Sequence, residues 1–299
     1  MPPPRQTSED PEQVQLDSAE DAESLRLSAS AYAKHNKLQR KFNQYVLDFC
    51  QPTFSEQARE TQQYVDIGCG TGDFTRDVLL PQCQPCRRII GVDCSPEMIK
   101  HARRYSANDK LRFHVLDMCE DVSAFVQKYG RFDRAYSFYC LHWALDLGKA
   151  IKNVAQLLTP GGECLLVFYA SHEPAAAWKV LRKMERWSKY SEVLSKYTPV
   201  AQEMRGKQEQ IRFVSGLLKE AELYPSILEN VRATTFDDWS EDEIVATYMN
   251  VLPIVKLVTP EEKAELLQFT RKYVRVHHAP DADRERFRMF IIKASKISK

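Results

Sequence analysis

No apolar run in these 299 residues approaches the roughly 20 consecutive positions that a membrane-spanning helix needs. An excess of one charge sign is also missing: 42 Lys and Arg stand against 41 Asp and Glu, for a net charge of +1. That balance gives no compositional argument for a nucleic-acid or anionic-membrane partner. Arg87-Arg88 and Arg103-Arg104 are short basic pairs without interleaved aromatics, so no nucleic-acid face is expected. The start, Met1-Pro2-Pro3-Pro4-Arg5, lacks the basic-then-apolar order of a secretory signal. No internal repeat is visible. Cys83-Gln84-Pro85-Cys86 has metal-ligand spacing, but neither a second cysteine pair nor a His-x-x-x-His partner accompanies it. Four-coordinate zinc needs four ligands, so no metal is expected. The eight cysteines are scattered and read as reduced thiols of a cytoplasmic protein. No obligate protein partner is evident.

What the chain does contain is uneven along its length. Residues 1–25 hold seven acidic residues, one basic residue and four prolines, a net charge of −6. So little apolar content cannot offset the entropy of ordering, and this tail is expected to be disordered. From Leu25 to Cys50, Tyr32, Leu38, Phe42, Tyr45, Val46 and Phe49 recur at helical spacing. Short apolar runs then alternate with helical stretches. The runs are Tyr64 to Ile67, Arg88 to Asp93, Leu111 to Asp117, Phe132 to Tyr139 and Glu163 to Tyr169. Ser95-Pro96-Glu97 supplies a capping residue and a first-turn proline for one of the helices. Such alternation predicts an α/β fold with a doubly wound, mostly parallel sheet. Beyond Ala170, residues 174–190 and 241–275 look helical and aromatic. Ile211 to Leu223 reads as a further helix, and Ser226 to Thr235 and Phe287 to Ile292 read as strands. The expected organisation is one domain over 26–299, with helical insertions at about 171–210 and 237–285 capping the active site.

The stretch Asp66-Ile67-Gly68-Cys69-Gly70-Thr71-Gly72-Asp73 follows the first strand. Glycines at alternate positions allow a sharp turn and let a ligand touch the main chain. A dinucleotide site needs G-x-G-x-x-G and bare N–H groups facing pyrophosphate. Here the third glycine comes one place early, and Asp66 and Asp73 flank the loop. Asp93 closes the second strand where a carboxylate can grip ribose hydroxyls, and Asp117 ends the third. Four carboxylates around one loop suit a cationic nucleoside better than a dinucleotide, and S-adenosylmethionine, with a sulfonium and an amino group, has that character.

At these motifs the chain resembles the class I S-adenosylmethionine-dependent methyltransferases. Val65 through Gly72, Gly91-Val92-Asp93, Leu116-Asp117-Met118 and Leu158 through Gly162 carry the likeness. The resemblance implies a Rossmann-like fold whose loop, with Gly68, Gly70 and Gly72, supports the methionine part of the donor along with Asp66. It further implies that Asp93 holds the ribose and Asp117 meets the adenine amine, with Met118 and Ser137 completing the donor site. Ser137-Phe138-Tyr139-Cys140-Leu141-His142-Trp143, together with Lys37-Leu38-Gln39-Arg40, is similar to the arthropod juvenile hormone acid methyltransferases. That likeness implies a carboxyl O-methyltransferase acting on a hydrophobic acid such as farnesoic or juvenile hormone acid.

An acid with a pKa near ~4–5 is already ionised at neutral pH, so its methylation needs alignment more than a base. Neutral amide and indole donors can hold one oxygen without quenching it. Gln39 and Trp143 are the matching pair, as the resemblance to plant carboxyl methyltransferases also implies. His142 is the rival: as a general base it would suit a phenol or an amine. A donor-binding module without catalysis is the third reading. Cys69 and Cys140 read as small buried residues, and Trp178, Met184, Trp187, Tyr190 and Tyr197 as core or lid packing.

Overall fold

The computed structural model describes residues 29–232, 239–278 and 288–297. The tail expected at 1–25 lies outside the described residues. The chain divides into two compact units.

The larger unit is drawn from Leu27–His172, Pro199–Asp238 and Asp283–Lys299. Its sheet has seven strands: β1 (Gln63–Ile67), β2 (Arg88–Asp93), β3 (Leu111–Val115), β4 (Phe132–Phe138), β5 (Leu158–Ser171), β6 (Leu223–Arg232) and β7 (Arg288–Lys296). They lie in the order β3-β2-β1-β4-β5-β7-β6. The first five are parallel, and β7 runs antiparallel between β5 and β6. The order reverses on either side of β1, which makes the carboxyl ends of β1, β2 and β4 the crevice where such sheets bind ligands. Side chains alternate across the sheet. Val65 and Ile67 join one buried cluster with the helices Ser123–Tyr129, Leu147–Leu157 and Gly206–Glu220. Tyr64 joins another on the opposite face with Leu47, Leu79 and Ile99. Strands buried on both faces must be apolar throughout, which is why they read as continuous runs.

Several boundaries differ from the sequence reading. The strand β5 begins at Leu158 and takes in the Thr159–Gly162 turn, with a register shift against β4 between Phe132 and Arg134. The strand expected at Ser226–Thr235 is β6, three residues earlier at its start, and Thr235 lies outside the described residues. Residues 199–210, expected with the capping insertion, belong to the sheet unit. The N-terminal helical stretch is two helices, Ala29–His35 and Lys37–Cys50, broken at Asn36. In the second, the buried stripe is Asn43, Val46, Leu47 and Cys50, while Tyr45 and Phe49 are 62% and 73% exposed. Aromatic spacing alone therefore misassigns the inner face. Ser95 caps Pro96–Tyr105 by accepting from the Met98 N–H at 3.3 Å.

The smaller unit, within Glu173–Thr198 and Trp239–Ala282, is helical. It contains Glu173–Leu181, Ser191–Lys196, Glu241–Val251 and Pro260–His277, with a 3-10 turn at Glu185–Tyr190. Trp178, Trp187 and Tyr190 are buried. Glu262 is buried too and binds Arg186, Lys189 and the Tyr190 hydroxyl. The sequence places His277-His278 in an exposed loop; instead His277 ends a helix, stacked on Tyr273 at 3.9 Å, and His278 bonds the Tyr248 hydroxyl.

Candidate active site at the carboxyl edge of the sheet

The glycine loop leaves β1 and folds back over β2, with the Gly68 and Cys69 N–H groups donating to the Val92 carbonyl at 2.7 and 3.0 Å. Glycine is required here for two separate reasons. Gly68 and Gly72 hold φ of +74° and +71°, in the left-handed region. A Cβ at Gly68 would also stand 2.3 Å from Cys140, and one at Gly72 2.7 Å from the Phe113 ring. The loop then enters a helical run over 73–82 whose centre, Thr75–Leu79, is a π-helix.

The expected carboxylates have different surroundings. Asp66 is buried, accepts from the Thr75 hydroxyl at 2.6 Å and has its pKa raised to about 7. Burial is the main cause; the Thr75 bond opposes it, and Asp93 and Asp73 add to it. Burial and the same three aspartates push the Tyr32 phenol up. Asp93, at the end of β2, accepts from the Gly70 N–H at 3.0 Å and the Ser95 N–H at 2.9 Å, one on each oxygen. Asp117 accepts from the Cys119 N–H at 2.8 Å. Met118 is buried and its carbonyl accepts from Asn153. Ser137 is fully buried and donates to the Ile67 carbonyl at 3.0 Å, so its hydroxyl holds the end of β1. Asp73, expected to contribute free negative charge, is instead paired with Arg40.

The edge after β4 forms the facing wall. Tyr139 has φ of +51°, uncommon for a residue with a side chain, and its N–H donates to the Val167 carbonyl at 2.7 Å. This turns the chain into the 3-10 segment Leu141–Trp143. His142 is buried and Trp143 is 38% exposed. The His142 ring lies 4.9 Å from Tyr169, 5.1 Å from Trp143 and 6.0 Å from His172. Tyr139 packs on Tyr169 at 5.2 Å and on Phe42 at 6.1 Å. Gln39 sits one helical turn before Phe42, on the same side of its helix. Burial, reinforced by His172, pushes the His142 pKa well below its usual value, and burial takes His172 to about 3. The wall is therefore aromatic and uncharged.

Sequence reasoning did not single out Tyr32, Tyr139, Tyr169 or His172, which the structure brings beside the residues it named. The usable signal for the last two was their place at the end of a strand expected to be parallel. Cys83 and Cys86 are buried, and Cys83 meets the Tyr136 hydroxyl at 3.5 Å. Among the described residues, no group of three His, Cys, Asp or Glu could hold a metal ion.

A sheet of this order, with a glycine loop after β1 and a carboxylate ending β2, defines the class I methyltransferase fold, and residues 65–162 match the methyltransferase domain family. The chain therefore carries a class I, S-adenosylmethionine-type methyltransferase domain. It is similar to juvenile hormone acid O-methyltransferase of Drosophila melanogaster, with 34% identity over 54% of this chain and 55% of that one. The same protein of Bombyx mori is 28% identical over 57% and 60%. The chain thus spans a little over half the length of these curated relatives. Among solved structures, the [4+2]-cyclase SpnF superposes with a TM-score of 0.51 at 15% identity, covering 84% of this chain and 82% of that one, a likeness of fold alone.

The donor edge fits S-adenosylmethionine by its electrostatics. Asp66 and Asp93 both raise the proton affinity of the Tyr32 phenol, and Asp93 raises that of the buried Asp66, a field that a sulfonium or ammonium group relieves.

Proposed function

We propose that this protein is an S-adenosylmethionine-dependent carboxyl O-methyltransferase whose acceptor is a small hydrophobic carboxylic acid of the farnesoic type. The observation that carries the reading is the seating of the Tyr139–Trp143 turn on the donor loop. Cys140 lies so close to Gly68 that no side chain fits between them, so an acceptor on the aromatic wall lies beside the donor. That wall offers neutral donors, and burial lowers the basicity of His142, which disfavours a phenol whose proton must leave. An acceptor that arrives ionised matches these surroundings, and a phenol or amine does not. A site that binds the donor without chemistry is the remaining alternative.

In this reading Asp66, the Gly68–Gly72 backbone, Asp93, Asp117 and Met118 receive the donor, with Ser137 holding β1 beneath it. Gln39 and Trp143 orient the carboxylate. The donor supplies an electrophilic methyl group and a neutral thioether leaving group. An acceptor oxygen forms the new C–O bond as the C–S bond breaks, and its electron pair passes to sulfur. No proton moves. His142 shapes the wall as a neutral ring. None of the eight cysteines is in a disulfide, which suits a cytoplasmic setting. Among the described residues no helix is long and apolar enough to cross a membrane.

The test is methyl-labelled donor with farnesoic acid, catechol and simple amines in parallel. Base-labile label in an extractable product of the acid is the expected result. Trp143→Phe and Gln39→Ala should each cut turnover while leaving donor affinity nearly unchanged, and non-additively, because both act on one carboxylate. His142→Gln should be tolerated, with kcat flat between about pH 6.5 and 8. Label on catechol alone, abolished in His142→Gln, would move the site to phenol chemistry; donor binding without transfer to any acceptor would favour the binding module.

A further inference from the structure

The two N-terminal helices meet the glycine loop through side chains four residues apart. Tyr32 lies over Gly70, where an added Cβ would stand 3.2 Å from its ring. Asn36 donates to Asp73 at 3.2 Å. Arg40 donates to the same Asp73 oxygen, and its other terminal nitrogen reaches Asp77 at 3.3 Å. The start of the first helix is tied as well, with the Ala29 N–H donating to Glu97 at 2.9 Å. Asp73 also accepts from the Thr71 hydroxyl within its own loop. The carboxylate that opens the 73–82 helical run therefore spends its charge on this contact rather than facing a ligand.

Arg40 directly follows Gln39, and Phe42, two residues further on, packs against Tyr139 of the acceptor wall. One helix thus touches the donor loop through residue 40 and the acceptor wall through residue 42. A shift at the first contact moves the second, because a helix transmits displacement as a rigid rod. The pair is partly shielded, with side chains 25% and 23% exposed, and three donors converge on one carboxylate. Such an arrangement is stronger and more directional than a lone surface ion pair.

We propose that Arg40 is a positioning residue, whose ion pair with Asp73 holds the Gln39 helix closed over the glycine loop and so sets both donor retention and acceptor alignment. This rests on the donor and acceptor assignment above. Arg40 touches neither reacting group; it acts through Asp73 on the loop and through its own helix on Gln39.

The experiment compares wild type with Arg40→Ala, Arg40→Lys, Asp73→Asn and the Arg40→Ala/Asp73→Asn double variant. Release of S-adenosylhomocysteine is followed by stopped flow, kcat and KM are measured for the acid, and amide exchange is measured without ligand. Arg40→Ala should speed product release about tenfold, the scale of a lost charge-assisted bond. It should also raise the KM for the acid more than it lowers kcat. Arg40→Lys should recover much of both, and the double variant should be no worse than either single one. Unchanged release and KM in Arg40→Ala, equal losses in the Lys variant, or additive losses in the double variant would each overturn the proposal. If wild type binds no S-adenosylhomocysteine, the functional reading has failed and amide exchange alone judges the clasp. Arg40→Ala must then speed exchange across 37–50 and 68–77 together, and exchange confined to one segment overturns it.

Discussion

Asp66 carries a pH dependence that can be worked out from its surroundings. Its pKa in the folded protein is about 7, well above that of an unfolded aspartate. A group raised in this way contributes stability that is fully present below about pH 4 and is lost as pH rises through 7. Asp66→Asn should therefore gain stability relative to wild type between those limits, by a difference read from denaturant midpoints at each pH. A cationic donor favours the ionised carboxylate, so donor affinity should rise from pH 6 to 8, by at most about tenfold per unit. Calorimetry in two buffers of different ionisation enthalpy should register proton release, and Asp66→Asn should abolish it. The buried His142 ring has the opposite sign: with its pKa depressed, its contribution is present above about 6.5 and fades as pH falls.

At the scale of elements, the close fit of β2, β3 and the glycine loop decides what the site tolerates. Gly91 lies in the middle of β2, opposite Phe113 of β3, with ordinary φ. An added methyl there would stand 2.6 Å from the Phe113 ring and 3.0 Å from Cys69 Sγ. Gly91→Ala should cost about 1–3 kcal/mol by overpacking and weaken the donor by displacing Cys69. Adding Phe113→Leu should restore much of the stability, which thermal unfolding of the single and double variants will show. The π-helical segment at Thr75–Leu79 belongs to the same junction, because it carries Thr75 to Asp66.

For the sheet unit as a whole, the last strand is locked from far along the chain. Lys293 of β7 is 5% exposed and donates to Glu163 of β5 at 2.7 Å; the other oxygen of Glu163 accepts from the Ser55 N–H and hydroxyl. Breaking a buried pair leaves an uncompensated charge, so Glu163→Gln should cost about 3 kcal/mol or more. Replacing both groups, Glu163→Gln with Lys293→Met, should cost less than the single change, because no buried ammonium then lacks a partner. Denaturant unfolding measures both, and a double variant no better than the single would refute the assignment.

The chain by itself determined the α/β alternation, the five parallel strands and the loop from Gly68 to Gly72, because burial on both faces and sharp glycine turns leave local patterns. It also placed Asp93, Asp117, His142 and Trp143 at strand ends, where open sheets bind ligands. It did not determine how each aspartate is held. Asp66, Asp73 and Asp93 look alike in the sequence, yet one is buried beside Thr75, one pairs with Arg40, and one caps two backbone N–H groups. Nor could spacing separate exposed Tyr45 and Phe49 from buried Val46 and Leu47. The position of β7 between β5 and β6, and the meeting of Tyr139, Tyr169 and His172 with His142, depend on contacts between distant segments. Local propensity extends over a few residues, whereas burial, charge pairing and proton affinity are set by what the tertiary fold brings alongside.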